Sequence, residues 1–237
     1  MRLLIDAGNT RIKWAFVKEA EWLESGVLPN DQVSELPQCL SRIDQVKQIW
    51  VSNVAGEAVA QYLRDLFGDV HFIASRKMQC GVQNHYANPA QLGSDRWAAL
   101  IAAWHLVGKA CLVVNCGTAT TVDALNNKGE FMGGLILPSV QLMQQSLTRH
   151  TAQLGASLGG YTAFPVNTAD AMFSGAIQAT CGAIQRQHGL LKEMTAPIIL
   201  SGGARDLLTS SLSEIPVKTV ENLVLQGSWL IAQEASK

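Results

Sequence analysis

Asp6, Gly8, Asn9, Thr10 and Lys13 lie close together in the stretch LLIDAGNTRIKWAFV, residues 3–17. The apolar run before Asp6 and the alternation after Thr10 predict two strands joined by a turn. A carboxylate ends the first strand and a lysine stands on the second. Gly8 offers the positive φ that a tight turn needs, Asn9 tolerates it, and Thr10 adds a hydroxyl beside a row of backbone N–H groups. Such a turn suits an anion. With a cation on Asp6 and phosphate oxygens on Lys13, the segment reads as a place for a metal-bound polyphosphate. Turn chemistry alone also accounts for Gly, Asn and Asp, so a plain hairpin fits this one segment equally well.

A second copy separates the two readings. Residues 112–125, LVVNCGTATTVDAL, again predict a buried strand, a Gly-Thr turn and an outgoing β-branched strand, and Asn115 and Gly117 each lie 109 positions after Asp6 and Gly8. A third group, Gly93-Ser94-Asp95-Arg96, puts a carboxylate and a guanidinium in the first turn of a predicted helix next to a loop. Asp95 there is a candidate base of the kind phosphoryl transfer uses to orient a hydroxyl. From the residues alone the stronger reading is that Asp95 complements the helix dipole, with Arg96 snorkelling to solvent.

The elements that must position these residues follow from the hydrophobic pattern. Strands are expected at 21–28, 48–53 and 71–74, with a short helix over 31–43 disturbed by Pro37 and an amphipathic helix over 57–67. Residues 75–92 carry Gly81, Asn84, Asn88 and Pro89 and read as a loop. Ser94 is placed to cap a helix over 95–107 that is apolar almost all round. Gly108 ends it. Strands at 111–115, 120–125 and 130–137 then lead to a helix after Pro138, a glycine-bearing loop over 150–167, and a long helix over 168–187 with a small-residue face (Ala171, Met172, Gly175, Ala176, Ala179, Ala183). A strand at 197–200, a Ser201-Gly202-Gly203 turn into a helix near Leu207, a strand at 217–220 and a helix at 222–235 complete the chain. The repeat divides it into halves at 1–109 and 110–237.

Composition narrows the function classes. The 237 residues are 48% hydrophobic and 16% charged, which is globular rather than disordered. A net charge of −1 leaves no basic footprint for nucleic acid. Asp6 interrupts the first apolar run, so no signal peptide is expected, and no apolar stretch reaches the ~20 residues that span a bilayer. Cys39, Cys80, Cys111, Cys116 and Cys181 form no CxxC pair and read as buried thiols of a cytoplasmic protein. The histidines show no metal-ligand spacing. Gly155-Ala156-Ser157-Leu158-Gly159 has the GxSxG form of a hydrolase nucleophile but lacks a readable strand before it and helix after it. Neither GxxxxGK[ST] nor GxGxxG occurs.

Taken together, DAGNTRIK at 6–13, HYANPAQLGSDR at 85–96, CGTATTVD at 116–123, GGLILP at 133–138 and FPVNTADAM at 164–172 resemble, in order and over nearly the whole chain, the type III pantothenate kinases. The resemblance implies an α/β protein of two similar domains with the actin-like ATPase (ribonuclease H-like) fold. Each domain would be a mixed sheet with flanking helices, the active site lying in the cleft between them. It implies ATP-dependent phosphorylation of pantothenate to 4'-phosphopantothenate, the first step toward coenzyme A, by a cytoplasmic homodimer with no nucleic-acid or membrane partner. Asp6, Ala7, Gly8, Asn9, Thr10, Arg11, Ile12, Lys13 and Thr118 would meet ATP, Asp6 would hold Mg²⁺, and Gly202-Gly203 would lie near the adenosine. Tyr86, Gly93, Ser94, Asp95, Arg96 and Thr168 would meet pantothenate, with Asp95 as the base. Many members carry Asp where this chain has Asn115, a position associated with a monovalent cation. An amide brings oxygen but no charge, so a weaker or altered dependence on K⁺ or NH₄⁺ is implied. Some relatives on the same scaffold are described as accessory factors for transcription, so a nucleotide-binding regulator is the alternative expectation.

Overall fold

The computed structural model describes residues 1–150 and 159–236. The chain packs as two compact units, one of residues 1–108, 129–131 and 222–237, the other of 109–128 and 132–221. The segment 155–158 of the GxSxG match lies outside the described residues, as does most of the loop expected before 159.

The first unit opens with β1 (Arg2–Ala7), β2 (Arg11–Lys18) and β3 (Glu21–Pro29), an antiparallel meander. After 3-10 turns around the four-residue α1 (Leu36–Cys39) come β4 (Gln48–Asn53), α2 (Glu57–Phe67) and β5 (His71–Phe72). The strand order is β3-β2-β1-β4-β5, with β4 parallel to β1 and β5 parallel to β4. Period-2 alternation in β1 decides what each face holds. Leu3, Ile5 and Ala7 join Val59 and Leu63 of α2 in one core. Leu4 packs on the other face with Ala15, Val17 and Leu225. Asp6 shares the parity of Leu4. A hairpin of β6 (Met78–Gln79) and β7 (Val82–Asn84) precedes α3 (Ser94–Val107), which ends at Gly108 in the left-handed conformation.

The second unit contains β8 (Cys111–Cys116), β9 (Ala119–Leu125), β10 (Glu130–Pro138), α4 (Val140–His150), α5 (Thr168–Leu191), β11 (Ile198–Ser201), α6 (Asp206–Thr209) and β12 (Val217–Thr219), Glu130 and Phe131 of β10 being counted with the first unit. Its strands run β10-β9-β8-β11-β12. That is the order of the first unit with β10, β9, β8, β11 and β12 standing for β3, β2, β1, β4 and β5, and β11 is parallel to β8 as β4 is to β1. Leu112, Val114 and Cys116 face a core built with Ile177, Cys181 and Ile184 of α5. The last helix, α7 (Leu223–Glu234), packs in the first unit, against α3 and β1.

Several expectations need correction. The helix expected over 31–43 is broken into 3-10 turns and the short α1, because Pro37 withholds a backbone donor in mid-segment. The loop expected over 75–92 contains the β6–β7 hairpin, turned by Cys80 and Gly81 at φ 50° and 79°. Ser94 does not cap α3. Gly93 occupies the N-cap position, and the Ser94 hydroxyl bonds elsewhere. Three cysteines are buried, but Cys80 is half-buried and Cys39 exposed. Among the described residues no helix is long and apolar enough to cross a membrane.

Candidate active site

The first turn is three residues long, 8–10, and neither Gly8 nor Asn9 adopts a positive φ. The Gly8 N–H closes the turn on the Arg11 carbonyl at 3.0 Å, and a Cβ on residue 8 would stand 3.1 Å from that oxygen. Glycine is needed there for close approach rather than for backbone freedom. Asp6 and Lys13 face each other in register across β1 and β2, as do Ala7 and Ile12. Ala7 and Ile12 are fully buried in the core, so they can offer a ligand only backbone. Asn9, Thr10 and Arg11 are exposed at the tip.

Asp95 reaches this hairpin through β4. Ser52 is in register with Asp6 on the parallel strand, and its hydroxyl lies 3.0 Å from that of Ser94, both being buried. The bridge ties the start of α3 to the strand beside β1. Asp95 follows in the first turn, where its Oδ1 accepts the Arg96 N–H at 2.8 Å. A Cβ at residue 93 would meet that same Oδ1 at 2.6 Å, so Gly93 leaves room for the carboxylate to fold back.

Burial drives the Asp6 carboxyl up to about 7; the Lys13 charge pulls it down and the Asp95 charge pushes it up. Burial also raises Asp95, while the Arg96 N–H and guanidinium hold part of that rise back. Asp6, facing Lys13, and Asp95, beside Arg96, are two carboxylates within electrostatic reach of each other in surroundings that disfavour their charge. An oxygen-liganded divalent cation such as Mg²⁺ would favour the ionised form of the Asp6 carboxyl, which is a hard oxygen donor suited to it.

Arg96 is buried, only 6% exposed. Its Nη1 donates to the Tyr86 hydroxyl at 2.9 Å, and its guanidinium lies 5.7 Å and 5.9 Å from the ring centres of Tyr86 and Phe131. The two rings are 5.4 Å apart. Asn84 fixes the Tyr86 loop by accepting the Tyr86 N–H and donating to the Pro89 carbonyl. A planar cation held against aromatic faces, beside a partly buried carboxylate, is equipped to bind a small anion and take a proton from a hydroxyl.

In the second unit, the turn after β8 is one residue shorter than its counterpart, and the Gly117 N–H closes on the Ala119 carbonyl at 3.0 Å. Thr118 is exposed in that turn, and Asn115 is in register with Thr121 and Ser201. Gly202, at φ 98°, packs its α-carbon directly on the Cys116 backbone, and the Ala204 N–H bonds the Cys116 carbonyl at 3.2 Å. Thr168 opens α5, is exposed, and follows Asn167, whose Oδ1 caps the helix through the Asp170 N–H.

The sequence pattern of the type III pantothenate kinases matches residues 2–189. The chain belongs to that family. A type III pantothenate kinase from Nitrosospira multiformis is 43% identical over 242 residues, covering 99% of this chain and 92% of the relative. Solved structures show the fold to be that of the sugar kinases and actin-like ATPases. A Sinorhizobium meliloti protein assigned as a 2-dehydro-3-deoxygalactonokinase superposes with a TM-score of 0.63 at 13% identity, covering 99% of this chain and 96% of its own. A Campylobacter jejuni protein assigned to the Baf family of transcriptional activators gives 0.66 at 22% identity, covering 99% and 98%. That likeness carries the fold and no function.

The hairpin, Asp95, Arg96 and Tyr86, read from the sequence as one pantothenate kinase site, come together in the first unit. Asn115, Thr118 and Thr168 belong to the second unit. Sequence reading missed Ser52, Asn84 and Phe131. Ser52 had a signal, a small polar residue near the end of an apolar strand. Phe131 had none, since only the pairing of Phe131 with Asn84, β10 parallel to β7, brings it to Tyr86.

Proposed function

We propose that the chain transfers the γ-phosphoryl group of ATP to the primary hydroxyl of pantothenate, giving 4'-phosphopantothenate for coenzyme A synthesis. Family membership supports this reading, and the observation that carries it to the residues is the Ser52–Ser94 bridge, which sets Asp95 within electrostatic reach of Asp6. The Gly8–Thr10 turn, Lys13 and Thr118 would hold the polyphosphate, and Asp6 would hold Mg²⁺, largely through water. When bound, the ion neutralises charge on the phosphates.

Asp95 would orient the pantothenate hydroxyl and accept its proton. A carboxyl raised by burial is a better base than one in water, provided it is ionised. Arg96, clamped by Tyr86 and Phe131, would hold the pantothenate carboxylate, with Gly93, Ser94 and Thr168 completing the contacts. Positioning and charge neutralisation would supply most of the acceleration. The duplication is proposed to run 1–109 and 110–237, with a cytoplasmic homodimer as the working form. Asn115 would leave monovalent-cation dependence weak or altered.

The test is a coupled ADP-release assay with ATP and a panel of acceptors including pantothenate and sugars. Turnover confined to pantothenate is the expected result. Turnover with a sugar and none with pantothenate would replace the substrate, and no turnover with any acceptor would favour a regulator.

A further inference from the structure

We infer that Asn30 is a positioning residue for the nucleotide, holding the Gly8–Thr10 turn in the shape that meets the phosphates; this rests on reading that turn as the phosphate site. β3 ends at Pro29, and the chain bends into a 3-10 run at Asn30. There the Asn30 N–H donates to the Thr10 carbonyl at 2.9 Å, and its Nδ2 donates to the Asn9 carbonyl at 3.1 Å. Two consecutive carbonyls of the turn are taken by one residue from outside it.

The consequence follows from peptide planarity. In a trans peptide the N–H points opposite to the carbonyl of the same plane. The plane that carries the Asn9 carbonyl carries the Thr10 N–H, and the plane that carries the Thr10 carbonyl carries the Arg11 N–H. Fixing both carbonyls toward Asn30 aims two successive amide donors away from it, as a cradle for phosphate oxygens requires. The backbone half of this clamp continues the β2–β3 ladder and would survive at any residue but proline. The side-chain half belongs to Asn30.

A second observation separates this role from ordinary packing. The Asn30 Oδ1 is buried with no hydrogen-bond partner among the described residues. An unpaired buried acceptor lowers stability, and an aliphatic residue here would remove it. The side chain is thus a compromise: its Nδ2 grips the turn while its Oδ1 is left unsatisfied. Truncation should therefore change nucleotide use more than it changes the fold.

The experiment compares Asn30→Ala, Asn30→Asp and Lys13→Ala with the wild type, varying ATP and pantothenate separately and recording thermal melts. Asn30→Ala is expected to raise the KM for ATP about five- to tenfold, the worth of roughly one hydrogen bond, with the KM for pantothenate and Tm nearly unchanged. Asn30→Asp keeps the shape but cannot donate and adds charge beside the phosphates, so its KM for ATP should rise further. An unchanged KM for ATP in Asn30→Ala, while Lys13→Ala raises it, would overturn the role of Asn30 and leave the phosphate turn standing. If neither variant moves it, the reading of the turn fails as well. A rise in both KM values together with a fall in Tm would also overturn the inference, because it marks a structural residue.

Discussion

Asp6, at the end of β1, and Asp95, in the first turn of α3, lie within electrostatic reach of each other, and the charge of Asp95 adds to the burial that lifts the Asp6 carboxyl to about 7. The relationship is long-range in sequence, and the Ser94 hydroxyl, bonded to the Ser52 hydroxyl and the Asn53 carbonyl, ties the start of α3 to the strand beside β1. It couples the residue proposed to hold the metal with the one proposed to take the proton. Removing the charge of Asp95 should therefore lower the Asp6 value, which a titration of the carboxyl resonances of Asp95→Asn would report. An Asp6 titration unchanged in that variant would remove the coupling.

The pH dependence of the unliganded protein follows from the same shift. The folded state keeps the Asp6 proton that the unfolded chain gives up near the ordinary carboxylate value of 3.8. The unfolded state thus binds fewer protons between that value and about 7, and linkage makes stability fall as pH rises through this window and level off above it. Asp6→Asn should flatten that part of the profile and be more stable than wild type at pH 8 without nucleotide. Thermal melts from pH 4 to 8 check this. Parallel profiles for the two proteins would show that Asp6 is not the group concerned.

Asn115→Asp should increase stimulation by potassium or ammonium, because it restores a charge where the amide offers only oxygen. The titration compares both proteins over the same range of salts at constant ionic strength, which separates specific binding from screening. Superimposable curves would take the residue out of cation dependence.

Local chemistry was legible in this sequence, and partners distant in the chain were not. The hairpin around Asp6 announces itself through alternation and turn residues, and the 109-residue offset predicts the repeated strand order seen in the two units. The β6–β7 hairpin is hidden because its turn uses Cys80 in the left-handed region, where Asn or Gly is the usual sign. α3 reads as a helix with more apolar surface than one chain can cover. Its cover is α7, which comes close enough for Gly227 to touch the Ala98 backbone, leaving no room for a side chain there. Nothing near residue 98 signals a partner so far along the chain. Asn30 is similar: in sequence it is a turn residue after Pro29, and only its bonds to Asn9 and Thr10 give it a task.

Tyr86→Phe should raise the KM for pantothenate about three- to tenfold while leaving the KM for ATP unchanged. The substitution keeps the ring against Phe131 and Arg96 but removes the hydroxyl that accepts from Arg96 Nη1. Losing an acceptor from a buried charged donor costs about 1.5–3 kcal/mol at most, part of which water or substrate restores. Steady-state kinetics in both substrates decide it. A change confined to ATP would place Tyr86 elsewhere in the mechanism.

A homodimer is expected in solution, and its structural support lies on the second unit rather than on α3. Most of the apolar surface of α3, from Trp97 to Ala103, is buried within the first unit, against α7. The remaining support is on the second unit: Phe164 and Val166 are 88% and 97% exposed before α5, and the space over Gly175 and Gly182 on that helix is open. Exposed aromatic and aliphatic side chains beside a helix face that admits close approach are what a self-complementary interface uses. Light scattering at micromolar concentration should give twice the mass of the 25.5 kDa chain. Phe164→Asp should shift it toward the monomer and, if Thr168 meets pantothenate as proposed, raise the KM for pantothenate before that for ATP. A fully active 25.5 kDa species would rule out the dimer as the working form. A monomeric Phe164→Asp variant with unchanged kinetics would keep the dimer and detach it from the site.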